Sequence, residues 1–202
     1  MVVDINVAKR LSMNLHFKQL SHWQQQVFAA SLTQRMLPNY ALFSDNCGFG
    51  DYSLLQNQMD LIWQKLSLMP VKINVEAQLL KLEPHIPQAA DFDQFVVYPA
   101  IDLCSAMVCL FESFEDESCN VAVEVSRLSV NSVSAYLDFL QLAGENPEAQ
   151  VVLADDPLWQ WESQTQQQLL QMVNDGNRSA VTCRELRQWV QSQAMTNLGV
   201  AY

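Results

Sequence analysis

The sequence predicts an all-α protein, a single-domain multi-helix bundle around a buried central helix at about residues 99–116. Three observations carry this. Glycine and proline are few, 5 and 7 in 202 residues, which leaves little room for tight hairpins and favours helices joined by short loops. Apolar residues recur at three- and four-residue spacing along most of the chain, the period of an amphipathic helix. From Ala100 to Phe111 only Asp102 and Ser105 are polar, and a helix that is apolar nearly all round is a buried one. The length suits one domain, residues 1–202, with 1–20 as an N-terminal arm.

In chain order, Val2, Val3 and Ile5 suit a short extended piece, and Leu11, Leu15 and Phe17 the start of a helix after Ser12. Ser21 opens a clearer helix on which Trp23, Val27, Ala30 or Ser31, and Gln34 or Arg35 keep helical spacing, with Phe28 and Leu32 widening the stripe. Pro38 should stop or kink it, and Asn39 to Phe43 should resume as a short helix with Pro38 in its first turn. Gly48 suits a left-handed C-cap and Asp51 the N-cap of the next helix.

That helix runs from about Tyr52 to Leu68, with Leu55, Met59, Ile62 and Leu66 as its stripe and Leu61 and Trp63 beside it. Pro70 closes it. Asn74 caps a shorter helix carrying Val75, Leu79, Leu82 and Ile86, ended by Pro84 and Pro87. Residues 89–98 read as an ordered loop, because Pro99 disfavours helical backbone at Tyr98.

After the acidic turn at 115–117, Asn120 to Val125 alternates as a strand would. Val121, Val125, Leu128, Val133, Tyr136 and Leu140 nevertheless keep helical spacing up to Gly144, and that length decides for a helix. Residues 147–153 suit one short helical turn. Asp156-Pro157 opens a helix with Leu158, Trp161, Thr165, Leu169 and Met172 on one side, closing near Gly176. In the last helix Thr182 and Glu185 form a capping box. Leu186, Trp189, Val190 and Ala194 make its face and Gly199 is its stop. No period of self-similarity is present, so this is not a repeat array.

Charge excludes two partners. With 11 Lys and Arg against 22 Asp and Glu, the net charge is -11. Nucleic-acid binding needs a basic face, and no stretch supplies one. The same charge is repelled by anionic membranes, and no apolar run reaches the roughly 18–20 residues of a span. The odd cysteine count of 5, the lack of C-x-x-C and the absence of a signal-like N-terminus point to reduced thiols and a cytoplasmic location.

Most catalytic signatures are missing. His16, His22 and His85 are scattered, and Cys104 and Cys109 fall on different sides of one helix, so no metal and no cofactor are expected. Neither a nucleophile elbow nor G-x-G-x-x-G occurs. The remaining candidates are acidic: Asp60, Asp93 and Asp102 could gather in a cleft as a general base or hard-cation ligand. For Asp102 the preferred reading is structural, a carboxylate stabilising a helix N-terminus, which alone would explain it.

Several ordered motifs then suggest a family. Arg35-Met36-x-Pro38-Asn39-Tyr40-x-x-Phe43, Gly48-Phe49-Gly50-Asp51, Asp60-Leu61-Ile62-Trp63, Tyr98-Pro99-Ala100-Ile101-Asp102-x-Cys104 and Ala122-Val123-Glu124-Val125-Ser126 follow one another. Over about Trp23 to Glu162 the chain resembles the YjaG-like bacterial proteins, a domain-of-unknown-function family (four-one-six). The resemblance implies an all-helical cytosolic protein of one domain and no particular reaction. It makes Asn39, Tyr40, Asp51, Asp60 and Asp102 candidates for a shared site or, equally, for a shared packing and capping network.

Two functions from different classes follow. The first is a self-associating interaction or regulatory protein, with a homodimer as its expected assembly, using exposed aromatic side chains beside neutral glutamine-rich faces. The alternative is an enzyme or small-ligand binder. Its pocket would lie at the start of the central helix, where Asn39, Tyr98 and Asp102 would converge.

Overall fold

The computed structural model describes residues 17–144 and 155–201. Among them lie seven α-helices: α1 (His22–Cys47), α2 (Tyr52–Leu66), α3 (Val75–Leu82), α4 (Val97–Glu112), α5 (Val121–Ala143), α6 (Pro157–Asp175) and α7 (Ala180–Ser192). Single 3-10 turns lie at Phe17–Gln19, Glu83–His85 and Ala89–Asp91. Strand pairing among the described residues is confined to one isolated bridge, Met195 to Ala201. The extended piece and helix start expected before Phe17, and the turn expected at 147–153, lie outside the described residues.

α4 is the buried helix that its composition required. Val97, Ala100, Leu103, Cys104, Ala106, Met107, Leu110 and Phe111 are all fully buried. It shares the core with α1, which packs against α2, α4, α5, α6 and α7 and so ties both ends of the described chain together. His22 and Gln26 of α1 meet the carbonyl of Ser113, just past α4, at 2.7 and 2.9 Å, so the two helices are pinned at one end as well as packed along their length.

α1 runs unbroken through Pro38, where a stop or kink with a restart was expected. Pro38 removes one backbone hydrogen bond, but Arg35, Met36, Leu37, Asn39, Tyr40 and Phe43 on either side are buried. Tertiary packing on both flanks outweighs that local penalty. The caps follow the sequence: Ser21 with Gln24 forms a capping box, and Gly48 ends the helix in the left-handed region at φ 63°. Phe43 then meets Tyr40, Phe49 and Phe92 edge-to-face at 5.7, 5.9 and 5.0 Å.

Leu55, Met59, Ile62, Trp63 and Leu66 of α2 are buried as their spacing demands. α2 ends at Leu66 in a Schellman turn, the amide of Met69 donating to Gln64 O at 3.1 Å and that of Leu68 to Lys65 O at 3.1 Å. Leu68 occupies the left-handed position at φ 62° that glycine usually fills. It and Met69 are left exposed.

Three local expectations change. Tyr98 is helical, because Pro99 falls in the first turn of α4, where a missing N–H costs nothing. α6 buries Trp159, Glu162, Thr165, Gln166, Leu169 and Val173, so its inward face is rotated from the Leu158/Trp161/Met172 stripe and is partly polar. α7 is capped by Ser179, whose Oγ accepts from the Thr182 amide, while Thr182 Oγ1 donates to Asn177 O at 2.7 Å. Thr182 is thus the residue capped. Gly199, at φ 71°, serves the turn between Met195 and Ala201 that carries Asn197 into the interior.

Candidate functional site

The sequence-predicted residues do not share one place. Asp51 is the N-cap of α2, its Oδ1 accepting from Ser53 Oγ at 2.6 Å, Ser53 N at 2.9 Å and Leu54 N at 3.2 Å. The Ser53 side chain, then the Leu54 amide, hold its carboxyl below the usual carboxylate range. Tyr40 donates its hydroxyl to His85 O at 2.6 Å, and burial pushes it well above the usual tyrosine range. Asp60 pairs with Arg187 of α7. Asp93 is exposed before α4.

No group of three His, Cys, Asp or Glu side chains that could hold a metal ion occurs among the described residues. Asp60, Asp93 and Asp102 therefore do not gather into such a cluster.

Asn39 faces inward, into a polar centre that the sequence reading did not assemble. Its Nδ2 donates to Asn197 Oδ1 at 2.8 Å, and Asn197 Nδ2 donates to Ser129 O and Oγ at 3.1 and 3.2 Å. Ser129 Oγ donates to Glu162 Oε1 at 2.7 Å, as does Gln166 Nε2. Glu162 pairs with Arg35, which is 0% exposed and stacked under the Trp161 ring at 4.1 Å. The centre therefore fastens α1, α5, α6 and the C-terminal turn to one another.

Such a pair gives little net stability against an apolar equivalent, but removing one partner is costly, so its natural role is to enforce one register. A signal for it was present: Arg35 falls on the apolar stripe of α1, four residues before Asn39. Its partner, Glu162, has no such mark.

Asp102 and Tyr98 do share a place, the seam between α4 and α5. Asp102 lies in the second turn of α4 and accepts from Ser132 Oγ of α5 at 2.6 Å. It is therefore no helix cap. Burial pushes its carboxyl up to about 6, opposed by the Ser132 hydrogen bond and by Arg127.

Tyr98 precedes Asp102 by four residues, and Tyr136 and Phe139 follow Ser132 by four and seven, so both helices continue the same face toward solvent. There Phe95 meets three other rings: Tyr98 at 5.9 Å, Tyr136 at 5.7 Å and Phe139 stacked at 4.7 Å. Tyr98 is 51% exposed, Phe139 44%, and Leu140 and Leu142 extend the apolar surface at 45% and 70%. Between Tyr136 and Ala143 only Asp138 is charged. The result is an aromatic ridge with a part-buried carboxyl at its base. It can offer flat apolar area and, at its lower edge, a proton-exchanging group.

The family model described as "Protein of unknown function (DUF416)" matches residues 12–201. That is a wider match than the 23–162 spanned by the motifs. The chain is 34% identical to the uncharacterized protein YjaG of Escherichia coli over 192 residues, covering 94% of this chain and 96% of that one. It is 29% identical to an uncharacterized protein of Haemophilus influenzae over 199 residues, covering 96% and 98%. The crystal structure of a DUF416 family protein from Shewanella baltica superposes with a TM-score of 0.81 at 31% identity, covering 92% of this chain and 96% of that one.

Proposed function

The chain belongs to the DUF416 family, and from that premise we propose that it is a cytosolic interaction protein that self-associates through the aromatic ridge of α4 and α5, its 202 residues acting as one domain. The single observation behind this reading is the ridge itself: four rings in contact, two of them about half exposed, continued by Leu140 and Leu142. Contiguous exposed aromatic and aliphatic area of this kind marks association surfaces.

A second copy fits better than an oppositely charged partner. Two chains that each carry a net charge of -11 repel unless they meet through a surface poor in charge, and the outer half of α5 is such a surface. A two-fold contact requires one patch to complement itself, which apolar rings do without needing matched charges. For the cytosolic location, the support is that all five cysteines are free, as in a reducing compartment. The ligand-pocket alternative loses its basis, because Asn39 is committed to Asn197 in the interior while Tyr98 faces solvent.

A photo-crosslinking amino acid at position 139 tests the proposal in living cells. The expected product is a species of twice the monomer mass that disappears when Tyr98 is changed to Ser on the same chain. Crosslinks solely to unrelated proteins would contradict self-association.

A further inference from the structure

A groove of about 410 Å³ runs between the end of α2 and the outer face of α7. On α7, Arg184, Arg187, Gln188 and Gln191 fall at the i, i+3, i+4, i+7 spacing of one helical face, while Leu186 and Val190 turn inward. Across from them are Trp63, Gln64, Ser67 and the exposed Met69. Among the described residues no carboxylate lines this groove, in a chain with twice as many acidic as basic residues.

We propose that this groove docks an acidic peptide segment of a partner protein, with a carboxylate on Arg184 and an apolar side chain on Met69. Three features support this. First, the wall is preorganised: Arg187 is tied to Asp60 and donates to Gln34 Oε1 at 3.2 Å, and that same oxygen accepts from Trp63 Nε1 at 3.0 Å. Arg187 and Trp63 therefore need no ordering when a segment binds.

Second, Arg184 is exposed and makes no hydrogen bond or ion pair among the described residues. Asp60 neutralises Arg187, so Arg184 carries the groove's uncompensated charge. It is the place where an incoming carboxylate gains a charge-assisted bond. Third, Gln64, Gln188 and Gln191 present side-chain amides, which both donate and accept as a peptide group does.

An extended segment suits the site better than a small acid. Small-ligand pockets enclose most of their ligand, whereas this groove is open to solvent, with its amides and guanidinium groups set beside the apolar surface of Trp63 and Met69. The proposal concerns a different surface from the ridge and stands or falls separately from it.

The test is fluorescence anisotropy with the full-length protein and a labelled octapeptide alternating glutamate and leucine, beside the same peptide with glutamine for glutamate. The acidic peptide should bind about tenfold tighter than its neutral counterpart, weakening with salt, and Arg184→Glu should reduce binding by about tenfold or more. Lys81→Glu, an identical charge change on the exposed surface of α3, should alter it by less than about twofold. Equal binding of the two peptides, an equal loss in both variants, or no binding below about 1 mM would each overturn the proposal. Displacement of the peptide by glutarate at the peptide's own affinity would also overturn it, by making the site a small-acid pocket.

Discussion

Replacing Asp102 by Asn isolates what the part-buried carboxyl does at the base of the ridge. An aspartate in the unfolded chain titrates near 3.8, and in the folded protein burial pushes Asp102 up to about 6. Below about pH 4 the group is protonated in both states and contributes no difference. Between about 4 and 6 the folded state holds its proton while the unfolded state releases it, so stability falls as pH rises. Above that window the carboxylate is ionised in both states. At about 1.4 kcal/mol per pH unit of pKa difference, keeping it ionised in the seam costs roughly 2–3 kcal/mol.

Asparagine is neutral at every pH and can still accept from Ser132 Oγ, so Asp102→Asn should match the native protein at pH 4. At pH 7.5 it should exceed the native protein by roughly 2–3 kcal/mol, or about 4–12 °C in Tm for a chain of this size. Urea unfolding at several pH values between these limits reads the difference directly. A variant less stable than the native protein at pH 7.5, or a difference that does not change with pH, would refute the reasoning.

The remaining predictions concern the interior. Glu162→Leu strands the buried Arg35 guanidinium, removes the acceptor of Ser129 Oγ and leaves Gln166 Nε2 only the longer bond to Ser126 O at 3.5 Å, and should cost about 3–5 kcal/mol. Arg35→Met together with Glu162→Leu should recover most of that loss; chemical denaturation of both variants decides it, and a double variant as weak as the single would contradict the register-fixing role. Gly50→Ala places a methyl group against the Tyr40 hydroxyl, with ring Cζ at 2.9 Å, on backbone at φ 81°. It should cost about 2–4 kcal/mol in the same assay, and a loss below about 1 kcal/mol would show that Tyr40 moves aside freely.

What the sequence revealed follows the physics of local and non-local interactions. Helical periodicity and caps are encoded within a few residues. The stripe of α2, the Gly48 cap, the Asp51 and Asp156 N-caps and the burial of α4 were all legible for that reason. Pro38 misled because its penalty is local, whereas the packing that overrides it comes from α2, α4, α5, α6 and α7. The rotated face of α6 was hidden because Glu162 and Gln166 are polar, and their burial makes sense only once Arg35 and Ser129 are set opposite them, 127 and 33 residues away in sequence.

Asp102 was visible as a charge inside an apolar run, but its partner, Ser132, lies on another helix. The ridge had the same obstacle. Phe95, Tyr98, Tyr136 and Phe139 are unremarkable apart, and only the α4–α5 packing makes them one surface.

Self-association through that surface is the central claim, and sedimentation equilibrium across a range of protein concentrations measures it most directly. The native chain should show concentration-dependent dimer formation. Phe139→Ser should weaken it by at least about tenfold, because it removes a stacked ring from the centre of the contact. Leu80→Ser, at a site 62% exposed on α3, should leave it unchanged. A native chain that sediments as a monomer at every concentration, or a dimer indifferent to Phe139→Ser, would contradict the account.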